Sequence, residues 1–177
     1  GEGPSPPPPP LREIFGPEAR RTEGKRQASE AKKAAGNAAM ARGQWAAAAL
    51  LYSEALGEDP GNLAALNNRA QAYLKLKKYE LAAEDASKVL YKDAKNVKAL
   101  FRRASALRGA FPAEAQRLAV ALQDCLRVLE ADPRNAQALA LKAELVRLSA
   151  DLRAKQAQRE GARTQARAGE EGAEEEG

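Results

Sequence analysis

Asn67-Asn68-Arg69-Ala70-Gln71-Ala72-Tyr73-Leu74-Lys75-Leu76 is the stretch that decides the fold, because its pattern returns on both sides of it. One pass runs from Asn68-Arg69-Ala70 to Ala94-Lys95-Asn96. Another, from Gly36-Asn37 to Pro60-Gly61-Asn62, precedes it, and a third, from Arg102-Arg103-Ala104 to Pro133-Arg134-Asn135, follows. A period of about 34 residues points to a helical solenoid built from stacked helix pairs. Small residues recur where two helices must approach closely: Ala70 and Ala104 at the phase of Gly36, Ala82 and Ala121 at the phase of Ala48. Trp45 and Tyr79 share a phase beside the turn within a pair, and Tyr52, Ala86 and Cys125 share another. Alternating small and bulky positions let an antiparallel pair pack ridge into groove and then stack on the next pair.

The pattern predicts an all-α chain with helices over 29–42 and 46–58, 63–76 and 80–91, and 97–109 and 117–130, in repeats 29–62, 63–96 and 97–135. In the third repeat Pro133 arrives about five residues late, which places an insertion around Gly109-Ala110-Phe111-Pro112-Ala113-Glu114-Ala115. There it lengthens the turn or the start of the second helix without destroying the repeat. Residues 136–156, with Leu139, Leu141, Leu145, Leu148 and Leu152 among charges, read as an amphipathic helix covering the last pair. Residues 1–28 read as a flexible lead. Its first ten are Pro-rich, and Leu11, Ile14 and Phe15 form its one apolar cluster. Residues 157–177 carry no apolar stripe, end in acids and read as a disordered tail. The Pro-rich start has no basic region ahead of an apolar stretch, so it is not a signal peptide, and a chain opening on Gly1 is expected to be a fragment or a processed form.

Composition narrows the function. There is no histidine, which removes the commonest metal ligand and the commonest general base, and no cofactor, metal site or catalytic residue is expected. Carboxylate pairs such as Glu58-Asp59 and Glu84-Asp85 fall on helix surfaces or ends, so the chain is not read as an enzyme. Cys125 stands alone at a core phase, which excludes an internal disulfide and fits a reducing, cytoplasmic setting. No apolar run approaches the roughly 18 residues of a membrane span. Residues 29–150 hold nineteen Lys and Arg against thirteen acids, more net charge than the +5 of the whole chain. That excess favours an acidic partner, peptide or nucleic acid. Trp45, Tyr52, Tyr73 and Tyr79 are spaced as core residues rather than as a base-stacking platform, so an RNA-binding basic solenoid is the weaker alternative.

Five polar residues stand out by their phase. Lys33 with Asn37, and Lys98 with Arg102, are four apart and share a helix face, and Asn68 lies between them in the chain. All five fall on the first helices of their pairs, which line the concave groove of a right-handed stack. An ammonium, a guanidinium and two amides are donors suited to a peptide's carboxylates and terminal oxygens. Met40, Gln71 and Lys75 also fall toward the groove and are weaker candidates for contacting the rest of a peptide, with packing favoured for Met40 and solvent for Lys75.

These features resemble the tetratricopeptide repeat over roughly residues 29–135. More narrowly, Lys33-Ala-Ala-Gly-Asn37, Asn67-Asn68-Arg69-Ala70 and Lys98-Ala-Leu-Phe-Arg102-Arg103 resemble the three pieces of the two-carboxylate clamp of tetratricopeptide co-chaperones. The resemblance implies that Lys33, Asn37, Asn68, Lys98 and Arg102 hold the C-terminal Glu-Glu-Val-Asp tail of the cytosolic heat-shock chaperones Hsp90 and/or Hsp70. It also implies an adaptor rather than a catalyst. The texture of repeats two and three is similar to the sperm-associated-antigen, outer-mitochondrial-translocase-associated and myosin-chaperone families. A scaffold whose groove takes another acidic peptide is the alternative within binding proteins.

Overall fold

The structure, a computed structural model, describes residues 16–175, with side chains through residue 166. The Pro-rich start, the Leu11, Ile14 and Phe15 cluster and the last two residues lie outside the described residues. Seven helices and no strand occur among the described residues: α1 (Pro17–Ala41), α2 (Trp45–Glu58), α3 (Leu63–Lys75), α4 (Tyr79–Lys92), α5 (Val97–Ala110), α6 (Ala115–Ala131) and α7 (Ala136–Glu175). The five internal helices, α2 to α6, start and end within two residues of the positions expected from the repeat. The chain divides into two compact units at Leu76 and Lys77, the first holding α1–α3 and the second α4–α7.

In the first unit, α2 packs against both α1 and α3. Its core is small and alanine-rich: Ala39, Ala48, Ala49, Tyr52 and Ala72 are buried, with Met40, Leu51, Tyr73 and Leu76 packed around them. Gly36 explains how Tyr52 fits. A Cβ on residue 36 would lie 2.6 Å from the ring's Cε1, so only glycine lets this ring lie flat on α1. α1 ends in a Schellman turn. Gly43 takes the left-handed conformation (φ +73°), its N–H donates to the Met40 carbonyl at 3.0 Å, and the Gln44 N–H donates to the Ala39 carbonyl at 2.9 Å.

In the second unit, α5 packs against α4 and α6, and α7 covers α6. Val89, Leu100, Leu118, Cys125, Val128 and Leu145 are fully buried, and Ala82, Ala86, Ala104 and Ala121 occupy the close-approach positions. Leu141 and Leu145 carry the covering face of α7. Leu139, expected on that face, is 45% exposed and points away from it. The insertion in the third repeat goes where the late Pro133 implied. α6 has 17 residues against 14 in α2 and in α4, and the turn before it is longer than the turns at 42–44 and 76–78.

Each helix pair hands over to the next through one turn design. Asp59, Asp93 and Asp132 cap the C-termini of α2, α4 and α6, and their carboxylates accept the N–H of Gly61, Lys95 and Arg134 at 2.9, 3.3 and 3.2 Å. Three residues on, Asn62, Asn96 and Asn135 accept the N–H of Ala65, Ala99 and Ala138 through their side chains, each at 3.0 Å. Asparagine is a favoured N-cap because its oxygen satisfies a helix donor that has no partner in its own helix.

Two stretches differ from expectation. α1 begins at Pro17 rather than at residue 29, and α7 continues to Glu175 rather than stopping near residue 156. Neither added stretch has an apolar stripe, which is why periodicity misses both. Both are rich in Ala, Arg and Glu, which lose little on entering a helix. Each extends a turn already nucleated by packing, and propagation costs far less than nucleation. Pro17 opens α1 at a position where proline's fixed φ is already helical. Among the described residues no helix is long and apolar enough to cross a membrane.

Candidate functional site

In the first unit the structure brings Asn37 of α1 and Asn68 of α3 into direct contact: the Asn68 amide donates to Asn37 Oδ1 at 2.9 Å. The Tyr52 hydroxyl donates to the same oxygen at 2.7 Å. Two donors occupy both lone pairs of Asn37 Oδ1, so the amide is fixed with its two N–H groups turned outward on an exposed side chain. Lys33 lies one turn earlier on α1. Its ammonium is 2.6 Å from Glu30 Oε2, and its side chain is 19% exposed. Toward solvent this corner therefore offers ammonium and amide donors.

Glu30 reaches two ways, since its Oε1 accepts from the Asn62 amide at 2.9 Å, and Asn62 also donates to the buried Ser29 hydroxyl at 3.0 Å. The hydrogen bond from Lys33, foremost, with that from Asn62 behind it, holds the Glu30 carboxyl below the usual carboxylate range, against a smaller opposing effect of burial. Lys32 faces the other way, pairing with Glu58 at 3.0 Å and Glu54 at 3.8 Å.

Of the flanking candidates, Met40 packs against the core of the first unit, and the Lys75 ammonium sits over the Trp45 ring, 5.7 Å from its centroid. Gln71 is half-buried. Arg69, next to Asn68, donates to the Ser53 hydroxyl at 2.9 Å and lies 5.7 Å from the centre of the Tyr73 ring.

In the second unit, Lys98 and Arg102 sit one turn apart on α5, Lys98 exposed and Arg102 half-buried. The neighbouring Arg103 turns inward and grips Asp124 of α6 with two bonds, 2.7 and 2.8 Å. Asp124 is 2% exposed, so Arg103 is structural, whereas Arg102, one position earlier, is the half-buried arginine of the candidate set. Arg108 pairs with Glu144 of α7 at 2.9 Å. Cys125 is fully buried, and burial, with Asp124 adding to it, pushes its thiol up to about 11. A thiol so placed behaves as a small apolar side chain.

Sequence reasoning named the five polar residues as candidates but not two residues that contact them, Tyr52 at Asn37 and Glu30 at Lys33. Tyr52 read as core, and its ring is core. Its hydroxyl, however, orients Asn37. Glu30 went unremarked although its spacing of three from Lys33 is a recognised ion-pair spacing on a helix.

Comparison with known proteins follows the same lines. The family profile described as Tetratricopeptide repeat matches residues 39–104. Sperm-associated antigen 1 of Mus musculus is 44% identical over 73 residues, which are 41% of this chain and 8% of that protein. The chain thus spans less than a tenth of this relative's length. Among solved structures, the Arabidopsis OM64 TPR domain is 34% identical, with a TM-score of 0.62 over 70% of this chain and 98% of that one. The first TPR of Spaghetti (RPAP3), solved bound to the HSP90 peptide SRMEEVD, is 30% identical with a TM-score of 0.64, covering 71% of this chain and 95% of that one.

Proposed function

Because the chain belongs to the tetratricopeptide-repeat family, we propose that it is a non-enzymatic co-chaperone adaptor holding the C-terminal Glu-Glu-Val-Asp tail of Hsp90 and/or Hsp70. In this reading Lys33, Asn37, Asn68, Lys98 and Arg102 supply the donors for the peptide's carboxylates, and the setting is cytoplasmic. The observation that carries it is the Asn37–Asn68 hydrogen bond beside Lys33. Residues 31 apart in the chain meet so that one amide oxygen is fully used and its N–H groups are left outward, an arrangement that suits an anionic oxygen and no cation. The neighbour that holds an HSP90 peptide ending in Glu-Glu-Val-Asp supports the choice of ligand.

The terminal carboxylate is the feature the amides read. A Glu-Glu-Val-Asp peptide is therefore expected to bind in the micromolar range, about −7 to −8 kcal/mol, because a short peptide buries little surface and relies on a few charge-assisted bonds. Calorimetric titration with the free-acid and the C-terminally amidated peptide tests this. Amidation is expected to remove nearly all binding, and equal binding of the two peptides overturns the reading.

A further inference from the structure

We infer that Glu30 is a built-in competitor for the ligand's carboxylate, occupying the Lys33 ammonium in the free protein and setting how tightly the site holds an anionic peptide end. This rests on the function proposed above and adds to it a residue that tunes the same site. Three observations on α1 and the α2–α3 turn carry it.

The first is the contact itself. Glu30 Oε2 lies 2.6 Å from Lys33 Nζ, where a ligand carboxylate would have to bind, so the one cation among Lys33, Asn37 and Asn68 is already neutralised. The second is that Glu30 is held there rather than merely near. Its other oxygen accepts from the Asn62 amide at 2.9 Å, and Asn62 is itself pinned by the buried Ser29 hydroxyl and by its capping bond to the Ala65 N–H. The third is that the neighbouring lysine, Lys32, cannot substitute, being committed to Glu58 and Glu54. The lowered proton affinity of Glu30 follows from these contacts and keeps it anionic wherever a peptide carboxylate is anionic too.

Glu30 and an arriving carboxylate therefore compete for one ammonium. Lys33 has three N–H donors and can touch both, but two carboxylates then lie within a few ångströms of one another on a partly exposed surface. Repulsion of that kind, softened by solvent, corresponds to a loss of about three- to tenfold in affinity. Asn37 and Asn68 are uncharged and cannot offset it.

The test is Glu30→Gln, which keeps an oxygen for the Asn62 amide and removes the charge, with Glu58→Gln as a control that changes net charge equally beside Lys32. Free-acid and amidated Glu-Glu-Val-Asp peptides are titrated into the full chain of each by calorimetry, at low and at physiological salt. The expected result is that Glu30→Gln binds the free acid about three- to tenfold more tightly than the unmodified chain. The advantage should shrink as salt rises, while Glu58→Gln stays within about twofold. Circular dichroism confirms that helix content is retained. If both the unmodified chain and Glu30→Gln fail to distinguish free acid from amide, the clamp reading falls and the inference with it. If both distinguish them but Glu30→Gln is no tighter, or Glu58→Gln gains equally, the inference alone is overturned.

Discussion

Each unit contains a tyrosine pressed against a glycine, and the two contacts are alike in packing but unlike in consequence. In the first unit a Cβ at Gly36 would lie 2.6 Å from Tyr52; in the second a Cβ at Gly109 would lie 2.7 Å from Tyr79. Both glycines let an aromatic ring lie directly on helix backbone. Tyr52 then extends its hydroxyl to Asn37 and orients a candidate ligand-binding amide. Tyr79 fills space beside the turn. The same device thus serves packing in both units and the site in only one, and the difference lies in where the terminal oxygen ends up.

The strongest way to break the comparison is to fill both glycines. Gly36→Val and Gly109→Val are each expected to lower stability by about 2–3 kcal/mol, because the ring is core and must move. Denaturant unfolding measures this. Only Gly36→Val should also weaken Glu-Glu-Val-Asp binding once differences in folded fraction are allowed for, and equal weakening by Gly109→Val would show that the two contacts are not distinct.

Next in size are Arg102→Ala and Lys98→Ala, each expected to cost about 2 kcal/mol of peptide affinity, the value of a hydrogen bond to a charged group, with helix content unchanged. The comparison is sharpened by Tyr52→Phe, which leaves the ring and removes the hydroxyl. It should cost about 1 kcal/mol in both stability and peptide affinity, whereas Tyr79→Phe should change either by less than about 0.5 kcal/mol. Smallest is Lys88→Ala on α4, where the ammonium pairs with Glu84 at 2.7 Å on an exposed face; peptide affinity should stay within about 0.5 kcal/mol of the starting value. A loss there equal to that of Arg102→Ala would replace a defined site with diffuse charge attraction.

The repeat made most of the helix boundaries legible, because small and bulky residues at fixed phase report the close approach of helices: Ala48, Ala82 and Ala121 share a phase and are all fully buried. What the pattern could not report falls into two kinds. Helix over 17–28 and 157–166 has no buried face, so hydrophobic periodicity is silent there while intrinsic propensity is not. The second kind concerns the ends of side chains. Phase says that Tyr52 faces the core and that Asn37 and Asn68 face another way, but the hydroxyl of Tyr52 crosses that boundary at its tip. Arg102 and Arg103 are adjacent and alike in sequence, and only the buried carboxylate of Asp124 tells the structural one from the candidate ligand-binding one. Glu30 was within reach of the sequence, given its distance of three from Lys33.

The phase shared by Gly43 and Lys77 is also instructive. Both residues lie just past the end of a first helix and both take positive φ, +73° and +57°. Glycine adopts this conformation freely, while a lysine there carries a strain of about 1–2 kcal/mol.

Trp45 is the single tryptophan of the chain, belongs to the first unit and has the Lys75 ammonium over its ring. Its fluorescence is therefore a private reporter: it responds to the melting of α1–α3, whereas far-ultraviolet ellipticity averages over all seven helices. Recording both on one sample, without any label, measures cooperativity directly. Coincident midpoints mean that the chain melts as one thermodynamic body, and separated midpoints mean that the candidate site's corner on α1 and α3 has a stability of its own.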